Sequence, residues 1–249
     1  MTQTPTSIEK NSPCNQTHAI ETFAILQEQK IIEELIRHWQ RRNHSILNIG
    51  CGTGVFLEKF WAAGLDVTGI DSNPDKLEKA QQRIGNKAEL RLGAFDHLPF
   101  ENNSFDYTAL MLTAANINDS EKAIQEAIRV STDGILVSFF NKWSLNYLYQ
   151  YYHKKQKENL YHLNTHQSFN PFKIYSFLSK DVGYSKISIR STLFTPHSLW
   201  GKTGFLTRLN NFSSFLPFGG ILAICLDLKP SFAVKPLWLK TENTRAECS

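Results

Sequence analysis

Three glycines at alternate positions, in Gly50-Cys51-Gly52-Thr53-Gly54, and one acid further along, Asp71, are the residues whose types and spacing carry chemistry. Glycines there let the main chain turn sharply and let a ligand come into contact with the backbone. Asp71 follows at a separation of 71 minus 50, or 21 residues, the distance at which a carboxylate ending the next strand can reach a ribose. Together they describe a pocket for a nucleotide-like ligand. A dinucleotide fingerprint would need GxGxxG, whereas here the third glycine falls at Gly54 and Val55 stands where that pattern wants Gly.

The elements that must hold such a site are legible on either side of it. Residues 45–49 (SILNI) form a short apolar strand and the glycines turn the chain. Val55, Phe56, Leu57, Phe60 and Trp61 then mark a helix that stops at Gly64. Residues 65–70 (LDVTGI) form a second strand that brings Asp71 to the same edge. Asn73 caps, and Pro74 opens, a helix through Arg83. Strands at 88–92, 105–112 and 134–140 follow. Between the last two, Asp119 or Ser120 caps a helix with Ala123, Ile124, Ala127 and Ile128 on one face. Strands at 184–190 and 220–228 complete the series. This alternation predicts a doubly wound α/β fold with a mostly parallel, seven-stranded sheet covered on both faces.

Residues 1–18 are polar and read as a flexible leader, leaving 19–249 as a single domain. An N-terminal helical segment occupies 19–44, with Ile20, Phe23, Ile31, Ile32, Leu35 and Trp39 at helical intervals. The ligand-binding core spans 45–140. Two long connections, 141–182 and 191–219, are expected to be lid or substrate-covering insertions.

The GxGxG loop resembles motif I of class I S-adenosylmethionine-dependent methyltransferases. The resemblance continues through VTGIDSNPDKLEKA and LGAFDHLPFENNSFDYTALMLTAANINDSEKAIQEAIRV, and points to their broad type 11 subfamily over about residues 46–140. It implies a Rossmann-like fold, S-adenosyl-L-methionine as cofactor, and methyl transfer as the activity. By the same resemblance Gly50, Gly52 and Gly54 lie beside the methionine portion, and Asp71 accepts from both ribose hydroxyls. Ala94 and Phe95 line the adenine, the Phe95 N–H donates to the ring, and Leu112 stands near the methionine portion. Asn48, Cys51 and Ser72 complete the cofactor-lining set. Two positions depart from the family. It usually has an acid where this chain has Asn48, which brings no charge for the cofactor's ammonium. It commonly has another where this chain has Ala94, which offers the adenine amino group no side-chain contact.

A sulfonium methyl group is already an activated electrophile, so its transfer needs chiefly alignment and exclusion of water. Orientation of this kind contributes roughly 7 to 11 kcal/mol without a catalytic triad. A hydroxyl acceptor would also use a general base. His153, His162 and His166 fall in the aromatic stretch 139–177, and His166 is the candidate. Its surroundings, NTHQSFNPFKIYSFL, resemble the segment before the sixth strand of ubiquinone-biosynthesis O-methyltransferases. Trp143, Tyr147, Tyr149, Tyr151, Tyr152, Tyr161, Phe169, Phe172 and Tyr175 in that stretch suit a small apolar or aromatic acceptor, or a lid packed on its own core.

Composition narrows the field further. Lys plus Arg number 27 against 23 for Asp plus Glu, too even for a nucleic-acid-binding face, and His153-Lys154-Lys155-Gln156-Lys157 is a short basic run. Cys14, Cys51, Cys225 and Cys248 form no CxxC pair, so neither a zinc site nor a disulfide framework is expected. No signal core, transit pattern or apolar run of roughly 18 residues is present, which implies a cytoplasmic protein without a membrane span. Two alternatives to the small-molecule enzyme stay open: an RNA or protein methyltransferase, and a degenerate domain that binds cofactor without catalysis or serves as a scaffold.

Overall fold

The structure is a computed structural model and describes residues 13–113, 119–153, 168–181, 186–200 and 206–228. In chain order it contains α1 (Pro13–Leu35), β1 (Ser45–Ile49), α2 (Val55–Ala62), β2 (Asp66–Asp71), α3 (Pro74–Ile84), β3 (Ala88–Leu92) and β4 (Phe105–Met111). There follow α4 (Ser120–Val130), β5 (Ser131–Asn141), α5 (Leu145–His153), β6 (Ser168–Phe169), α6 (Pro171–Asp181), β7 (Lys186–Thr192) and β8 (Ile221–Asp227).

One sheet runs in the order β3-β2-β1-β4-β5-β8-β7, and the two-residue β6 pairs beside the end of β5. The first five strands are mutually parallel, whereas β8 is antiparallel to both of its neighbours. The chain winds outward from β1 to β3 and then returns to the other side of β1 with β4. Connections therefore diverge at the carboxyl ends of β1 and β4, which opens a crevice there. The strand and helix alternation expected from the sequence is present, with seven strands on the main path.

Local chemistry sets the helix starts. Asn73 Oδ1 accepts from the N–H groups of Asp75 and Lys76, at 2.9 and 3.2 Å, and Pro74 fills the first turn of α3. Asp119 does the same for α4 through Glu121 and Lys122. Strand side chains alternate between two cores. Ile46, Ala109, Met111 and Leu136 pack under α1, α2 and α3, against Ile31, Phe60 and Ala80. Leu47, Ile49, Leu110 and Val137 face the other way, onto Ile124 and Ala127 of α4 and onto Ile174 and Leu178 of α6.

Helix α1 starts at Pro13, so residues 13–18, read as leader, are helical. Helix α6, within the expected insertion 141–182, packs Ile174 and Leu178, 5% and 0% exposed, against the sheet. Residues 191–200 and 206–219 pack on the α1 side, where Leu193 and Trp200 are buried and Asn211 accepts from Gln27. Among the described residues, no helix is long and apolar enough to cross a membrane.

Candidate functional site

Because β1 to β4 are parallel, their carboxyl ends deliver four segments to one edge: 48–54, 71–72, 94–95 and 112. The turn after β1 is made by glycines in the left-handed region, with φ of 73° at Gly50, 56° at Gly52 and 81° at Gly54. Side chains resist these angles, which explains why glycine recurs.

The loop's N–H groups are largely spent within the protein. Gly50 and Cys51 both donate to Ile70 O, at 2.9 and 3.1 Å, Gly54 donates to Cys51 O, and Gly52 donates to Asp71 Oδ2 at 2.9 Å. Asp71 Oδ1 accepts from the Asn73 N–H at 3.0 Å. Asp71 is therefore a brace that ties the loop to the end of β2, and it is 2% exposed. A carboxylate retains further lone pairs beyond these two bonds. Asn73, and not Asp71, caps α3 through its side chain. The Cys51 thiol is buried, and burial, aided by the charge of Asp71, pushes it up to about 12, so it stays protonated.

Of the other expected residues, Phe95 is buried and belongs to the core facing α4, while Ala94 and Ser72 are exposed. Leu112 is fully buried, and its N–H donates to Ser138 O at 2.9 Å, extending the β4–β5 ladder by one residue. Asn48 is 0% exposed, and neither its Nδ2 nor its Oδ1 has a hydrogen-bond partner. A buried amide left unpaired costs about 1 to 3 kcal/mol per group, so it marks a place prepared for a polar ligand. His166 and the basic run 154–157 lie outside the described residues.

Motif spacing does not reveal Arg129 and Glu126 of α4 or Glu28 of α1. Arg129 of α4 donates to Glu126, at 2.7 and 2.8 Å, and to the carbonyls of Leu98 and Phe100, while Glu126 accepts from the Leu98 N–H. The pair clamps the segment after Phe95, and the Arg129 hydrogen bonds hold the Glu126 carboxyl below its ordinary range. Glu28 of α1 is buried and accepts from Thr113 and Ser138. Among the described residues, two groups of three possible metal ligands, His38–Cys225–Asp227 and His44–Asp106–Asp133, stand at the opposite edge, beside the starts of β4 and β5.

The residues present fit an adenosyl cofactor with an amino-acid tail. The glycines permit close approach, the braced carboxylate ends β2 at the same edge with lone pairs to spare, and the orphaned Asn48 amide offers both a donor and an acceptor.

Residues 47–138 match the family described as "Methyltransferase domain". The chain is 31% identical over 115 residues to the demethylmenaquinone methyltransferase of Lactiplantibacillus plantarum, covering 39% of this chain and 48% of that one. It is 33% identical over 102 residues to the enzyme of that name from Staphylococcus aureus strain MRSA252, covering 39% and 42%. The chain thus spans about half the length of the curated relatives it matches. Among solved structures, a methyltransferase of Thermotoga maritima described as a possible histamine N-methyltransferase superposes with a TM-score of 0.62 at 20% identity, over 84% of this chain and 91% of that one. The magnesium protoporphyrin IX methyltransferase of Synechocystis PCC 6803, solved with S-adenosylhomocysteine bound, gives a TM-score of 0.59 at 13% identity, over 92% and 90%. Fold, motif and family match agree: residues 47–138 match the methyltransferase-domain family, and the fold is that of the solved methyltransferases it resembles.

Proposed function

We propose that the protein transfers the methyl group of S-adenosylmethionine to a small apolar or ring-containing acceptor, and that it does so in the cytoplasm. The observation that carries the reading is the unpaired, buried Asn48 amide beside a left-handed glycine loop braced by Asp71. When bound, the cofactor supplies a sulfonium-activated methyl group. The protein's part is to fix it and to exclude water. Asp71 accepts from the ribose with lone pairs left over from Gly52 and Asn73, Phe95 walls the adenine side, Leu112 stands near the methionine portion, and the Asn48 amide takes up polar groups of the tail.

Support for the acceptor class comes from α5, which leaves the carboxyl end of β5 with Trp143, Leu145, Tyr151 and Tyr152 all more than half exposed. Apolar surface of this extent beside a crevice suits a ring-containing ligand. Two relatives named for demethylmenaquinone point the same way. The test is incubation with methyl-labelled cofactor and a panel of ring-containing acceptors, demethylmenaquinone among them, read as a gain of one methyl group by mass. Label in none of the panel but in added RNA or protein would replace this acceptor class.

A further inference from the structure

Glu28 is 3% exposed and accepts a hydrogen bond from Thr113 Oγ1 at 2.8 Å and another from Ser138 Oγ. Strand register says where that is. Asn48, Ala109 and Leu136 form one row across β1, β4 and β5, and Met111 and Ser138 form the next row toward the carboxyl edge. Thr113 lies two residues beyond Met111. Ala109, Met111 and Leu136 pack in the same core as Ile31 and Ile32 of α1, so Glu28 stands over the crevice ends of β4 and β5, on the sheet face to which Asn48 belongs.

A buried carboxylate is costly unless a cation answers it. Among the described residues, the groups shown facing Glu28 are the hydroxyls of Thr113 from β4's end and Ser138 from β5. Three charged pairs lie on or beside the neighbouring elements: Arg190 of β7 with Glu34, Lys59 of α2 with Glu33, and Asp227 of β8 with His38. Burial accordingly raises the Glu28 carboxyl to about 7, against the lowering effect of its two hydrogen bonds. The arrangement holds an acid in readiness for a positive group that none of the described residues is shown to supply.

The direction of the cofactor identifies that group. With the ribose at Asp71 on β2 and the adenine toward Phe95 after β3, the amino-acid tail must run the other way along the edge, past β1 toward β4 and β5. We propose that Glu28 is the anionic partner of the ammonium on the cofactor's amino-acid tail, providing the charge that the neutral Asn48 amide cannot. This rests on the cofactor reading above.

Calorimetry with two probes tests it: S-adenosylhomocysteine, which carries the ammonium, and 5′-methylthioadenosine, which keeps the nucleoside and thioether but lacks the amino-acid tail. Glu28→Gln is expected to weaken S-adenosylhomocysteine about tenfold or more and to leave methylthioadenosine within about twofold. In the wild type, the preference for S-adenosylhomocysteine over methylthioadenosine is expected to shrink as pH falls from about 8 to about 6, because the carboxylate is neutralised. That pH series decides the matter if Glu28→Gln does not fold. Equal loss of both ligands, or no loss of either, with a preference independent of pH, overturns the proposal and leaves Glu28 as a tie between α1 and the sheet. Failure of S-adenosylhomocysteine to bind the wild type removes the cofactor reading as well.

Discussion

The backbone N–H of Gly52 donates to Asp71 Oδ2 at 2.9 Å, so the glycine loop and the acid that ends β2 form one hydrogen-bonded unit. Asp71→Ala therefore leaves two backbone donors, at Gly52 and Asn73, without their acceptor. We expect a stability loss of about 1 to 3 kcal/mol together with a ten- to hundred-fold weaker affinity for S-adenosylhomocysteine. Thermal melts beside calorimetry check both. A mutant that melts like the wild type would show that the brace does not contribute in solution.

Gly54 has φ of 81°, and a Cβ there would come within 3.2 Å of Ala80 Cα and Cβ. Gly54→Ala is expected to cost about 1 to 2 kcal/mol from the left-handed angle, plus whatever the shift of α3 away from the new methyl costs. Gly52→Val, at a φ of 56°, is expected to abolish S-adenosylhomocysteine binding, since a branched side chain resists the turn and fills the approach to it. Retention of wild-type affinity by a folded Gly52→Val would take the loop out of the site.

Arg129→Met keeps much of the aliphatic stem but removes the donors to Leu98 O, Phe100 O and Glu126. The segment after Phe95 loses its clamp, at a cost of about 1.5 to 3 kcal/mol for a charged hydrogen-bonded group. S-adenosylhomocysteine and methylthioadenosine should weaken alike, because the clamp serves the adenine side, which both share. Selective loss of the ligand that bears the amino-acid tail would refute that assignment.

Protonation of Glu28 should leave its mark on the protein without ligand. Its carboxyl is raised from 4.5 to about 7, chiefly by burial, so between those values the folded chain keeps a proton that the unfolded chain has released. Stability from this group is thus present below about pH 4.5 and lost as pH rises through about 7, an effect of about 3 kcal/mol at 1.36 kcal/mol per unit. Glu126 works in the opposite sense, since its carboxyl is lowered by Arg129 and its contribution is lost as pH falls. Melting temperatures from about pH 5 to about pH 8 should decline more in the wild type than in Glu28→Gln. Parallel profiles would mean that Glu28 ionises normally.

Local signals carried much of this architecture. The glycine turn, the acid ending β2, the Asn73 and Asp119 caps and the strand alternation each depend on a few neighbouring residues, and each is where the sequence placed it. Contacts between distant residues carried the rest. Glu28 sits among Ala24, Ile31 and Leu35 and reads as a solvated position until Ser138, 110 residues away, is known to lie opposite. Arg129 reads as the basic end of an exposed helix face, while its partners at Leu98 and Phe100 belong to another loop. In α6 the aromatic stretch drew the eye to Phe172 and Tyr175, which are exposed, while Ile174 and Leu178, one turn apart, face the sheet.

The central claim is that the edge formed by the glycine loop and Asp71 holds an adenosyl amino-acid cofactor, and one calorimetric titration addresses it. S-adenosylhomocysteine titrated into the wild type should give saturable binding of one ligand per chain, lost in Gly52→Val, while the dinucleotide NAD gives none. Binding of NAD in place of S-adenosylhomocysteine, or equal binding by wild type and a folded Gly52→Val, would contradict the account.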